Sequence, residues 1–153
     1  MANMASLVRA HCTGSTAVVL SAMGDTTDEL LAAANEAEGG NFDRAHARLN
    51  ELIDFHKSVH QVDELSMQID ALGSELRDVL HGVYLLREQT PRSKALTVSF
   101  GERLCVLVAA RAMRACGVDA VAVDARCLVR TDSNYECARI DFAQTSLQIT
   151  DVL

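Results

Sequence analysis

Tryptophan is absent, proline occurs once, and no arginine or lysine cluster interleaves with aromatic residues in this sequence. The formal charge is −7, from 21 acidic and 14 basic side chains. An acidic surface repels phosphate backbones and anionic lipid, so nucleic acid and membrane surfaces are poor partners. No apolar run approaches the roughly 18 residues that cross a bilayer. The first ten positions lack the apolar core of a signal peptide, so the expected location is cytoplasmic. The cysteines number five, an odd count without a CxxC pair, which fits neither a disulfide framework nor a zinc site. Scarce proline and eight glycines also exclude a low-complexity chain.

What is present is a chain of 153 residues, 49% hydrophobic and 23% charged, enough for one domain with a sizeable core. Residues Thr16 to Ser21 read as a short buried strand. A helix is predicted from Thr26 to Glu38, with Thr26 and Glu29 at capping-box spacing and Gly39-Gly40 as its stop. A second helix is predicted from Asn41 to His60. A third runs from Val62 to Glu88, with apolar residues alternating at spacings of three and four along 62–86. Such a seam packs against another helix, and the short join near Gln61 predicts an antiparallel hairpin over about 41–90. Pro91 reads as a break, Ala95 to Ser99 as an extended stretch, and Gly101 to Cys116 as a fourth helix ended by Gly117. Val118 to Ala125 reads as a second strand and Cys127 to Thr131 as a third. Tyr135 to Ile149 reads as a further strand or short helix. This order predicts an α/β chain with a helical insertion.

Several side chains invite a chemical reading. His56 and His60 stand four apart on one helical face, a spacing that suits zinc, but no third ligand is evident. His56 also lies on the apolar seam, so a packed histidine is the better account and no metal site is assigned. Cys105 and Cys116 read as small core residues. Arg103, Arg111 and Arg114 fall on one side of the fourth helix, as a solvated or salt-bridged stripe.

Two stretches resemble the aspartate kinases of the amino-acid kinase superfamily. One is Val18 to Leu31, with Ser21-Ala22 in the loop and Thr27 opening the helix. The other is Thr90 to Asp141, with Ser99-Phe100-Gly101-Glu102, then Asp124, then Thr131-Asp132-Ser133-Asn134-Tyr135. Leu80 to Ser93 also resembles that family's lead-in to the second stretch. The resemblance implies part of an amino-acid-kinase-like three-layer α/β fold with a helical hairpin insertion. It implies transfer of the ATP γ-phosphoryl group to the side-chain carboxylate of L-aspartate in lysine, threonine and methionine biosynthesis, with Mg2+ assisting. Ser21 would lie near the transferred phosphate as the candidate catalytic residue, Thr27 would hydrogen-bond the substrate, and Glu102 would pair with its α-ammonium group. Arg130 falls in a region near that cleft and is a candidate anion contact. Nothing before Ser21 matches the family's opening Lys-Phe-Gly-Gly-Thr-Ser strand, and the nucleotide-binding and regulatory parts have no counterpart. The implied state is a partial domain, dependent on a chain that supplies the missing segments. The alternative is a non-catalytic module or homo-oligomer that associates through the seam at 62–86.

Overall fold

The computed structural model describes residues 2–11, 14, 16–59 and 63–152. They form six α-helices: α1 (Ala2–His11), α2 (Thr26–Glu38), α3 (Phe42–Ser58), α4 (Asp63–Leu86), α5 (Pro91–Ala115) and α6 (Phe142–Val152). A single 3-10 turn, Ala125–Cys127, separates the last two. Helices α2 to α5 enclose one core, built on Leu30, Leu49, Ile69, Leu76, Phe100 and Leu104. No helix among the described residues is long and apolar enough to cross a membrane.

Most of the seam predicted along 62–86 faces this core. Leu65, Ile69, Leu76, Leu80 and Val83 are buried and Leu72 and Val79 partly so, whereas Leu86 at its end is exposed; Val62 lies outside the described residues. Helices α3 and α4 run antiparallel. Lys57 pairs with Asp70, Ile53 rests on Gly73 and His46 meets Arg77, so rising numbers on one helix meet falling numbers on the other. At Gly73 an added Cβ would sit 3.0 Å from Ile53 Cδ1, which shows how closely the helices approach there.

A Schellman turn ends α2. The Asn41 N–H donates to the Glu36 carbonyl at 2.8 Å and the Gly40 N–H to the Ala37 carbonyl at 3.0 Å. Gly40 has φ +89°, and a Cβ there would fall on the Arg87 guanidinium. Arg87 itself has φ 55°, which stops α4, and its guanidinium lies 4.9 Å from the centre of the Tyr84 ring. Gly40→Ala is expected to cost about 1–2 kcal/mol, from the left-handed backbone conformation and the displaced arginine. A urea unfolding midpoint equal to that of the parent chain would contradict this.

Three expectations need correction. The α/β class is wrong: among the described residues there is no strand, and the one β-bridge, Thr131 with Ile140, is isolated. The segments 16–22 and 118–124 form neither helix nor ladder. Their apolar runs favour extended backbone, whereas a strand also needs a neighbour about 4.8 Å away. The three-layer kinase-like architecture falls with the sheet. Second, α5 starts at Pro91, not Gly101. Thr90 is its N-cap, accepting the Ser93 N–H at 3.1 Å, and proline is favoured in the first helical position, where its missing N–H costs nothing. Third, the capping box at Thr26 does not form. Asp25 is the N-cap without a side-chain bond, and the Thr26 hydroxyl turns back to the Met23 carbonyl at 2.6 Å.

Candidate functional site

Gly101 sets the geometry of the site. It faces the loop before α2, and an added Cβ would meet Ala22 Cβ at 2.8 Å and Thr26 Cγ2 at 3.3 Å. Because no side chain intervenes, the next residue reaches the loop: Glu102 Oε1 accepts the Ala22 N–H at 3.2 Å. Its second oxygen has no hydrogen bond among the described residues. Ser21 and Thr27, both exposed, belong to this same loop and helix start. The N–H groups of Thr27 and Asp28 lack an acceptor among the described residues, as expected in a first helical turn. Glu102 and the Ser21–Thr27 loop are therefore brought together. Arg130 is placed elsewhere: it is exposed, and its backbone N–H donates to Thr145 Oγ1 at 3.0 Å. No hydrogen bond or ion pair of its guanidinium joins it to Glu102 among the described residues.

Arg103 is the strongest structural element beside the site, and sequence reasoning placed it on a stripe of solvated or salt-bridged arginines. Its side chain is only 12% exposed. It grips Glu75 of α4 with two bonds, at 3.0 and 2.6 Å, and lies 3.4 Å from Asp124. Its guanidinium stacks on the Phe100 ring at 4.4 Å. Asp124 also takes a forked contact from Arg126. The Arg103 hydrogen bond holds the Glu75 carboxyl below its ordinary range. Burial pushes the Asp124 carboxyl up, but hydrogen bonds from Arg126 and the charges of both arginines outweigh it and leave it lowered.

His56 is fully buried in α3, its Nδ1 at 2.8 Å from the Leu52 carbonyl. Nε2 has no partner. Its proposed companion His60 lies outside the described residues, and among those described no cluster of His, Cys, Asp or Glu can hold a metal ion. Cys105 is buried, and burial raises its thiol; Cys116 is half-buried, Cys127 and Cys137 are exposed, and Cys12 lies outside the described residues. Burial pushes the His56 pKa down. The folded chain thus holds this proton less readily than the unfolded chain. Stability is full above the ordinary histidine pKa of about 6.5 and falls as the pH drops through it towards the lowered folded value, by up to about 1.4 kcal/mol per pH unit. Urea midpoints measured between pH 7.5 and about 5.5 are expected to fall in the parent chain and stay flatter in His56→Leu. Equal slopes would contradict this.

The residues described do not form a cradle for ATP and Mg2+. The loop before α2 carries Asp25, with Asp28 and Glu29 in the first turn, and no lysine approaches it: Lys57 is paired with Asp70 on the α3–α4 hairpin, and Lys94 is exposed near the start of α5. Phosphate binding needs converging N–H donors and cations.

No family model matches the chain. Over 130 residues, 82% of its length, the chain is 33% identical to aspartokinase 1, chloroplastic, of Arabidopsis thaliana. The chain spans 22% of the length of that protein.

Proposed function

We propose that this chain is an aspartokinase relative that carries the amino-acid-binding part of such a kinase and holds L-aspartate beside Glu102. The observation behind this is the placement of Glu102. It reaches from α5 to the loop before α2, spends one oxygen on the Ala22 N–H and keeps the other open. An open carboxylate oxygen on a half-buried helix face is a ready acceptor for an ammonium group. The free N–H groups at the start of α2, with the Thr27 hydroxyl beside them, are suited to one of the substrate's carboxylates. The similarity to the plant aspartokinase supports the same assignment. Ser21, the residue before Ala22, is assigned to the neighbourhood of the transferred phosphate, and Arg130 is a contact that would have to swing in. Phosphoryl transfer itself is assigned to further segments that bring the ATP and Mg2+ site.

Calorimetric titration with L-aspartate tests this. Glu102→Gln keeps an oxygen for the Ala22 N–H while removing the charge. Heat of binding is expected in the parent chain and its loss in Glu102→Gln, with an unchanged circular dichroism spectrum. Binding equal in both would remove Glu102 from the site.

A further inference from the structure

We propose that Arg126 receives the α-carboxylate of the amino acid held by Glu102, an assignment that rests on L-aspartate binding at Glu102. Both side chains line one groove of about 1000 Å³ along α5. Successive residues of a helix climb only about 1.5 Å, so Glu102 and Arg103 stand at one level of that groove. Arg103 lies 3.4 Å from Asp124, and Arg126 holds Asp124 at 2.7 Å. This chain of contacts carries the Arg126 guanidinium to the level of Glu102. Arg130 does not line the groove.

Among the described residues three arginines line the groove, and two of them are committed elsewhere. Arg9 donates to the Cys116 carbonyl at 3.0 Å, where α5 ends. Arg103 is 12% exposed and places both Nη1 and Nη2 on Glu75. Arg126 is 44% exposed and grips Asp124 through Nε and Nη2. Its Nη1 makes no hydrogen bond among the described residues. That nitrogen carries two N–H donors, so a carboxylate can be met there without breaking the fork on Asp124. Asp124 also accepts the Arg126 backbone N–H at 3.0 Å, as the cap of the 3-10 turn. Backbone and side chain of Arg126 are thus both set by Asp124, and Arg103 ties Asp124 to α5.

The charges at this end of the groove suit a zwitterion. Glu102 and Asp124 are negative, Arg103 and Arg126 positive, and Glu75 does not line the groove. Fixed opposite charges side by side complement the neighbouring ammonium and carboxylate groups that every α-amino acid carries. The side-chain carboxylate of L-aspartate is then left for the free N–H groups at the start of α2 and the Thr27 hydroxyl. A simple amine, or a dicarboxylate without an ammonium group, would satisfy only half of this arrangement. Arg126 is in this account a residue that determines specificity, since it separates amino acids from amines of similar shape.

The test is calorimetric titration of the full chain and of Arg126→Gln with L-aspartate and with its α-amide. The amide keeps the ammonium group and the side-chain carboxylate but has no charge in place of the α-carboxylate. The parent chain is expected to bind L-aspartate about tenfold or more tightly than the amide. Arg126→Gln should lose that preference, and Arg126→Lys should recover part of it. A role confined to holding Asp124 would instead weaken both ligands equally, and an unchanged preference in Arg126→Gln would leave the α-carboxylate to another donor. Either result overturns the proposal. L-aspartate binding that is lost in Glu102→Gln, while Arg126→Gln keeps the preference of the parent chain, refutes the Arg126 assignment alone. No binding of L-aspartate by the parent chain overturns this assignment and the reading of Glu102 together.

Discussion

Phe100→Ala is expected to destabilise the chain by about 4 kcal/mol, with a fall in melting temperature on the order of 10 °C. Phe100 is fully buried at the centre of the α2–α5 core. Truncation removes its apolar surface from the core and leaves a cavity that the surrounding helices can close only in part. A second loss adds to the first. The ring is the platform for the Arg103 guanidinium, 4.4 Å from its centre, so the grip on Glu75 and Asp124 loosens too. Phe100→Leu keeps most of the volume but not the platform, and should lose less than half as much. Equal stability of the alanine variant and the parent chain in urea would show that α5 does not pack as described.

Arg103→Ala has the next largest expected effect, about 2 kcal/mol. One charge-assisted bond contributes about 1.5–3 kcal/mol, and the value here is reduced because Glu75 is half exposed. The loss should be local as well as global. Without Arg103, Asp124 keeps only Arg126, a near neighbour in the chain, and residues 118–128 lose a tie to the helical core. Amide exchange in that segment should quicken while α2 to α4 change little. Arg103→Lys restores the charge without the planar fork and should recover only part of the loss. Uniform destabilisation, without any local change at 118–128, would contradict the clamp.

The helices were legible because their signals are local. Periodic apolar residues and Gly39-Gly40 gave α2 its limits, and the spacing along 62–86 identified the buried face of α4. Pro91 misled because the same residue breaks a helix from within and opens one at its first turn; Thr90 before it was the deciding cue. The runs at Thr16–Ser21 and Val118–Ala125 read as strands and neither forms one, because a sheet is a relation between distant segments that neither run encodes alone. Of the candidate site, Gly101 and Glu102 were singled out through the family resemblance, and the structure shows Gly101 in close approach to Ala22 and Thr26. The Arg103–Glu75 fork was not accessible. Its partners lie 28 residues apart, and only the packing of α4 on α5 brings them together.

The most direct test of the central claim is a paired calorimetric titration of the folded chain with L-aspartate and with succinate, which has both carboxylates but no ammonium group. Binding of aspartate without binding of succinate, lost in Glu102→Gln, is the expected result. Equal binding of the two, or none of either, would mean that Glu102 does not receive an amino-acid substrate.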